Sequence, residues 1–375
     1  MDNSNSNSNS NNSHEGCYFN RLLEYTSDSV EFYPSFKNST LFTAGTYQIE
    51  QGDTEYKERR KGRLYLFDIE KDNKVKELQS IDFNSGILDM KWTHHNNISQ
   101  QYENDAPLLG VVMSRGELNV YRLNAADQEQ GERRLELVCR NDVSLDPSIL
   151  TLSLDWRTDN KEIVTSYSDG SLALFDVDGG AVTNRWIAHD YEAWICAYNY
   201  HNTSMVFSGG DDCKFKVWDT RTIEAEDGGR SNSSGATPIF TKRCDMGVTS
   251  IHCHPALENI VAVGSYDECV RIWDLRSMKQ PLTQTDSLGG GVWRIKWSPS
   301  DNNHLVTACM GGGFHTLSSE DGTFTDLSIK SSYQGPHQSI AYGVDWSYTN
   351  SSSTDKQQYI GCCSFYDRCL SVWTP

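Results

Sequence analysis

"DECVRIWD", Asp267 to Asp274, decides the fold. Two acidic residues open a turn, a run rich in β-branched and aromatic residues follows, and Trp-Asp closes it. Alone, it reads as one β-strand behind a turn. Its weight comes from recurrence: "KGRLYLFD" from Lys61, "RGELNVYR" from Arg115, "DGSLALFD" from Asp169, "DCKFKVWD" from Asp212, "GGGFHTLS" from Gly311 and "DRCLSVWT" from Asp367 repeat the pattern.

A second strand lies upstream of each and ends in an aromatic residue or His: Tyr33, Trp92, Trp156, Tyr200, His254, Trp297 and Trp346. In four repeats that residue precedes the turn by 12 to 14 positions (156 to 169, 200 to 212, 254 to 267, 297 to 311). Successive turns are 43 to 56 residues apart. That period with a closing Trp-Asp is the signature of a four-stranded WD-repeat blade. Seven units predict an all-β, seven-bladed WD-repeat β-propeller, in which radial repetition leaves only short, protected sheet edges.

The last repeat stops after its third strand, "CLSVWTP", while "CYFNRLLEY", Cys17 to Tyr25, precedes the first strand of blade one without a partner. The N-terminal strand is therefore expected to close the last blade. Residues 1–16, rich in Asn and Ser, read as a disordered tail, and 17–375 as a single propeller. Polar insertions at Asn96–Ala106, Ala125–Arg133, Glu224–Thr237 and Asn350–Gln357 read as surface loops. The Trp residues at template positions 92, 156, 218, 273, 297, 346 and 373 read as core.

Composition narrows the function. A formal charge of -18 argues against nucleic-acid binding through a basic groove, which needs clustered Lys and Arg. Eleven cysteines without a CxxC pair suggest neither a disulfide framework nor a zinc module. "HCH", His252 to His254, has no third ligand at zinc spacing, so neither a metal nor a cofactor is expected. No run approaches the ~20 apolar residues of a membrane span. The expectation is a cytoplasmic monomer that binds no membrane.

Beyond the generic repeat, "DSVEFYP" from Asp28, "GSYDECVRIWDLRSMKQPL" from Gly264, "GGGVWRIKW" from Gly289 and "CSFYDRCLSVW" from Cys363 resemble the diphthine methyltransferase family, WD-repeat enzymes understood as diphthine methyl ester hydrolases. The resemblance implies removal of a methyl ester from over-methylated diphthine on a histidine of elongation factor 2, the protein substrate. The freed carboxylate is then available for amidation to diphthamide.

An ester with a trimethylammonium group suggests where to look. Gly289, Gly290 and Gly291 open blade six and Gly311 to Gly313 form its inner turn, so two glycine runs are expected on one rim. They either supply tight-turn conformations or present backbone amides to the oxyanion of a tetrahedral intermediate. A quaternary ammonium accepts no conventional hydrogen bond donor and donates none; aromatic faces recognise it. Tyr266, Tyr366, Trp293, Tyr342 and Trp194 are the candidates, with packing between blades as the competing role.

No GxSxG elbow is present. A general base on water is the simpler chemistry. Glu268, His189 and Glu192 are the candidates, although His189 with Ser208, Asp212 and Trp218 also matches the hydrogen-bonded tetrad of a WD blade. A non-catalytic adaptor is the alternative function, since "VWDTR" (Val217–Arg221) and "IWDLR" (Ile272–Arg276) resemble motifs that dock substrate receptors onto a cullin-type ubiquitin ligase.

Overall fold

A computed structural model describes residues 16–50, 59–70, 74–94, 106–124, 133–144, 146–223, 236–349 and 357–375. Its strands form seven antiparallel sheets of four, and the first strands of successive sheets pack against one another around a central axis. The molecule is a seven-bladed β-propeller. Each repeat named above supplies the third strand of its sheet, and the upstream strand is the innermost. The tail and most of the four polar insertions lie outside the described residues.

The N-terminal strand Cys17–Leu22 pairs antiparallel with Cys369–Trp373 and becomes the outer strand of blade seven. Leu23 N adds a hydrogen bond to Arg368 O at 2.9 Å. Cys17–Leu22 thus covers the edge that the third strand of blade seven would otherwise expose.

Burial is distributed rather than central. Seven apolar clusters form, each drawn from two adjacent blades, from the cluster of Trp92 and Leu64 between blades one and two to that of Phe32 and Leu370 between seven and one. The seven template Trp residues are all buried. Three of them also lock neighbouring blades: the indoles of Trp156, Trp297 and Trp346 donate to the carbonyls of Lys91, His252 and Lys296 at 2.9, 3.0 and 3.0 Å. Because apolar packing is satisfied between blades, the axis is free to carry polar side chains.

The turn between second and third strands has a shared backbone requirement. Gly116, Gly170, Cys213, Glu268, Gly313 and Arg368, equivalent in blades two to seven, all have positive φ, between 60° and 82°. Glycine adopts this at no steric cost. Glu268 adopts it at φ 69° as part of a turn, its backbone carbonyl accepting from Leu288 N at 2.9 Å.

Candidate functional site

The site is set by a register irregularity. In five inner strands the pairing with the second strand skips one residue: Asp28, Leu88, Leu152, Thr249 and Tyr342. Each lies four positions before the last residue of its strand (28 and 32, 88 and 92, 152 and 156, 249 and 253, 342 and 346). The same position in the other two blades holds Trp194 and Trp293. A bulge re-aims a side chain that strict alternation would bury in the blade. All seven of these residues line one cavity of about 250 Å³ at the axis, joined by Tyr47, Arg60, Tyr266 and Arg294 among others.

Aromatic faces occupy one arc of this cavity. Trp293 stacks on Tyr342 with centroids 4.5 Å apart, tilts against Tyr266 at 6.1 Å and meets the edge of Trp194 at 5.7 Å. Asp211 holds the Trp194 indole at 3.1 Å. Burial pushes the Tyr266 hydroxyl up to about 12, helped by Asp211 and Glu192, so the phenol stays neutral.

Asp28 closes the arc beside Tyr342. Its side chain is buried, and Oδ1 has no hydrogen-bond partner. Burial holds its carboxyl well above the usual carboxylate range; the Arg294 charge opposes this and Asp89 adds to it.

Below this layer, polar residues three positions before their strand ends meet across the axis. Arg294 of blade six reaches across to Asp89 of blade two at 3.0 Å, and Asp89 also accepts from Ser153 Oγ at 2.9 Å. Burial raises and the Arg294, Lys91 and Lys296 charges lower the Asp89 carboxyl, with a net downward shift. A smaller cavity of about 70 Å³ lies beyond, lined by Glu31, Lys91, Asp155, His252, Lys296 and Asp345 one position before the strand ends. There Lys296 pairs with Glu31 at 2.5 Å and lies 4.0 Å from Asp345. Burial pushes Glu31 up to about 8 against the pull of Lys296.

A Dictyostelium discoideum protein described as a diphthine methyltransferase homolog is 57% identical over 95% of this chain and 98% of its own length. The chain belongs to the diphthine methyltransferase family. Mouse diphthine methyltransferase is 37% identical over 87% of this chain and 68% of its own, and the human protein 35% over 89% and 75%. Family membership gives the chain a role in diphthamide biosynthesis. Residues 130–325 also match the family model of the nucleolar protein 10-like N-terminal domain, a β-propeller. A chain of a mitotic checkpoint complex crystal structure superposes with TM-score 0.66 at 14% identity, covering 100% of this chain and 97% of that one, and shows the fold alone.

Of the residues proposed for this family member from sequence, the cavity brings together Trp194, Tyr266, Trp293 and Tyr342. Tyr366 is not among the lining residues: it is 72% exposed and meets the edge of Phe365, which in turn packs on Tyr342. Glu268 is also outside the lining; its carboxylate accepts from Ser287 Oγ and ties the blade-five turn to the loop before Gly289. His189 is buried between Asp212 and Ser208, each at 2.8 Å, and Trp218 donates to the same Ser208 at 2.9 Å, completing the blade-four tetrad. Glu192 lies near Tyr266 and does not line the cavity.

The glycine runs touch one another. A Cβ on Gly290 would sit 2.3 Å from Cys309 O, and one on Gly312 would sit 2.1 Å from Leu288 O. Gly289 and Gly313 have φ of 83° and 81°. Close approach and left-handed turns thus account for these glycines. Gly291 packs behind Tyr266, and Gly289, Gly290 and Gly291 are absent from the cavity wall.

The remaining motifs also find places. His252 Nδ1 accepts from Trp297 N at 2.9 Å, while His254 Nδ1 accepts from Leu257 N at 2.8 Å. Arg221 and Arg276 of the two WDxR stretches fold back onto Asp219 and Asp274, each at 2.6 Å. Sequence reasoning missed Asp28 and Arg294. Aligning the seven inner strands on their last residues exposes the first: Asp28 is a carboxylate where other repeats carry Leu, Thr, Trp or Tyr.

Proposed function

We propose that the chain hydrolyses the methyl ester of over-methylated diphthine on elongation factor 2, yielding diphthine and methanol in the cytoplasm. One observation carries this reading: four aromatic faces and a buried carboxyl share a single cavity at the axis of a diphthine methyltransferase family member. Methylated diphthine bears its quaternary ammonium and its ester on the same carbon. An ammonium seated against the aromatic arc, where each contact is worth roughly 0.5 to 2 kcal/mol, holds the ester carbonyl within the same cavity. The phenols stay neutral and uncharged faces present their negative quadrupoles to the cation.

The test uses the purified chain and elongation factor 2 carrying methylated diphthine. Methanol release and loss of one methylene in mass are expected. A chain that binds the modified factor without turnover is an adaptor, and that result overturns the reading.

A further inference from the structure

We infer that Asp28 is the catalytic base that activates water for ester cleavage, an assignment that rests on the hydrolase reading above. Five carboxylates face the axis, and four are already engaged. Asp89 takes Arg294, Ser153 and its own neighbour's amide, Met90 N at 3.0 Å. Asp155 accepts from Tyr198 N at 2.8 Å, Asp345 from Phe32 N at 2.7 Å, and Glu31 from Lys296 at 2.5 Å. The fifth, Asp28, is 3% exposed, lines the larger cavity, and has its Oδ1 without a hydrogen-bond partner among the described residues.

A buried carboxylate oxygen left without a partner is a cost to the fold, because hydrogen bonds satisfy almost all such atoms. The neighbouring blades show that this register position accepts Leu, Thr or an aromatic side chain, so architecture does not demand Asp. A reacting water supplies the missing donor.

The chemistry then balances. Asp28 takes a proton from water as its oxygen attacks the ester carbonyl carbon, and charge on the carbonyl oxygen builds beside the Arg294 guanidinium in the same cavity. Collapse breaks the bond to the methoxy oxygen. Asp28 returns its proton to that oxygen, methanol leaves, and the new carboxylic acid ionises into solvent. The groups that act electrostatically on Asp28 are Arg294, Asp89, Tyr47, Tyr342 and Cys363, with Arg60 lining the cavity alongside. Burial favours its protonated form in the free protein. A bound quaternary ammonium favours the ionised form, so the substrate itself readies the base.

The experiment compares wild type, Asp28→Asn and Asp28→Glu on elongation factor 2 with methylated diphthine. Wild type without turnover removes the hydrolase reading and this assignment with it. With wild type active, Asp28→Asn is expected to lower kcat by on the order of 10²- to 10⁴-fold with KM within about threefold, and Asp28→Glu to recover part of the loss. Asn turnover near the wild-type rate overturns the assignment alone, as does a raised KM with kcat intact, which makes Asp28 a counter-ion. Should the Asn variant not fold, the wild-type pH profile decides: kcat/KM is expected to rise with pH through a limb above the ordinary carboxylate range near 3.9. A flat profile there overturns the proposal. In ¹⁸O water the label is expected in the product carboxylate; label in methanol means attack at the methyl carbon and equally overturns it.

Discussion

Replacing Trp293 by Leu isolates the electrostatic part of recognition from its shape. Trp293 is the hub of the arc, with ring contacts to Tyr342, Tyr266 and Trp194 at 4.5, 6.1 and 5.7 Å. A Leu side chain keeps apolar bulk in the cavity and removes the quadrupole. Loss of one cation–π contact of about 1 to 2 kcal/mol weakens binding of a quaternary ammonium by roughly 5- to 30-fold, at 1.4 kcal/mol per tenfold. The assay is calorimetric titration with choline and with 3,3-dimethyl-1-butanol, which has the same shape and no charge. Wild type is expected to prefer choline, and W293L to lose most of that preference while melting near wild type. Equal weakening of both ligands would show that Trp293 contributes only shape. Unchanged choline affinity would remove the ammonium from this arc altogether.

Three further outcomes follow from geometry away from the cavity. His189→Ala strands the buried Asp212 and Ser208 and is expected to cost about 2 to 4 kcal/mol in denaturant unfolding, with kcat unchanged in the folded fraction. His189 and nearby backbone amides hold Asp212 down to about 2, so its contribution to stability is full above the ordinary carboxylate range and is lost as pH falls toward 2. Acid titration of stability should therefore be shallower in the Ala variant. Gly290→Ala places a Cβ 2.3 Å from a backbone carbonyl and should lower the melting temperature more than Gly289→Ala, which meets nothing closer than 3.3 Å and suffers only from its φ of 83°; the reverse order would refute the close-packing account. Deleting residues 1–22 removes the outer strand of blade seven and exposes the Cys369–Trp373 edge, so aggregation on mild heating should rise steeply in light scattering.

Much of this was legible in the sequence, and the reasons differ by residue. Blade number, the innermost strands and the closing N-terminal strand follow from turn and strand patterns that recur seven times, so an error in one repeat is corrected by the others. Trp194, Trp293 and Tyr342 were also visible, because large aromatics at strand starts stand out against Leu88 and Leu152. The bulges were not. A skipped residue leaves the apolar alternation of the rest of the strand intact, and its signal is a shift of register against the partner strand rather than any residue type. Without the bulge, Asp28 in "TSDSVEF" does not stand out from the other polar residues of its strand, and attention moves to Glu268 and the loop of His189 and Glu192. Those residues hold turns together: Glu268 binds Ser287 and His189 binds Asp212. Gly289 to Gly291 mislead for a related reason, since a tight backbone contact and an anion nest require the same absence of Cβ.

The division of labour within the ring explains why one end of it can do chemistry. Stability resides in seven apolar interfaces, so the axis is relieved of packing and holds three stacked layers drawn from most of the inner strands. The middle layer is sealed by Asp89 and Arg294, and the lower is neutralised internally by Lys91 and Lys296 among carboxylates. A buried pair of this kind adds little stability over apolar packing, yet removal of one partner is costly. Its value here is positional: the same Arg294 that spans the axis forms the floor of the upper cavity, with Asp28 and the aromatic arc around it. A ligand therefore meets a closed, oriented pocket rather than a pore, and enters and leaves through the same mouth. A side chain borne on a folded protein requires such a dead end, since it can be inserted and withdrawn but not threaded.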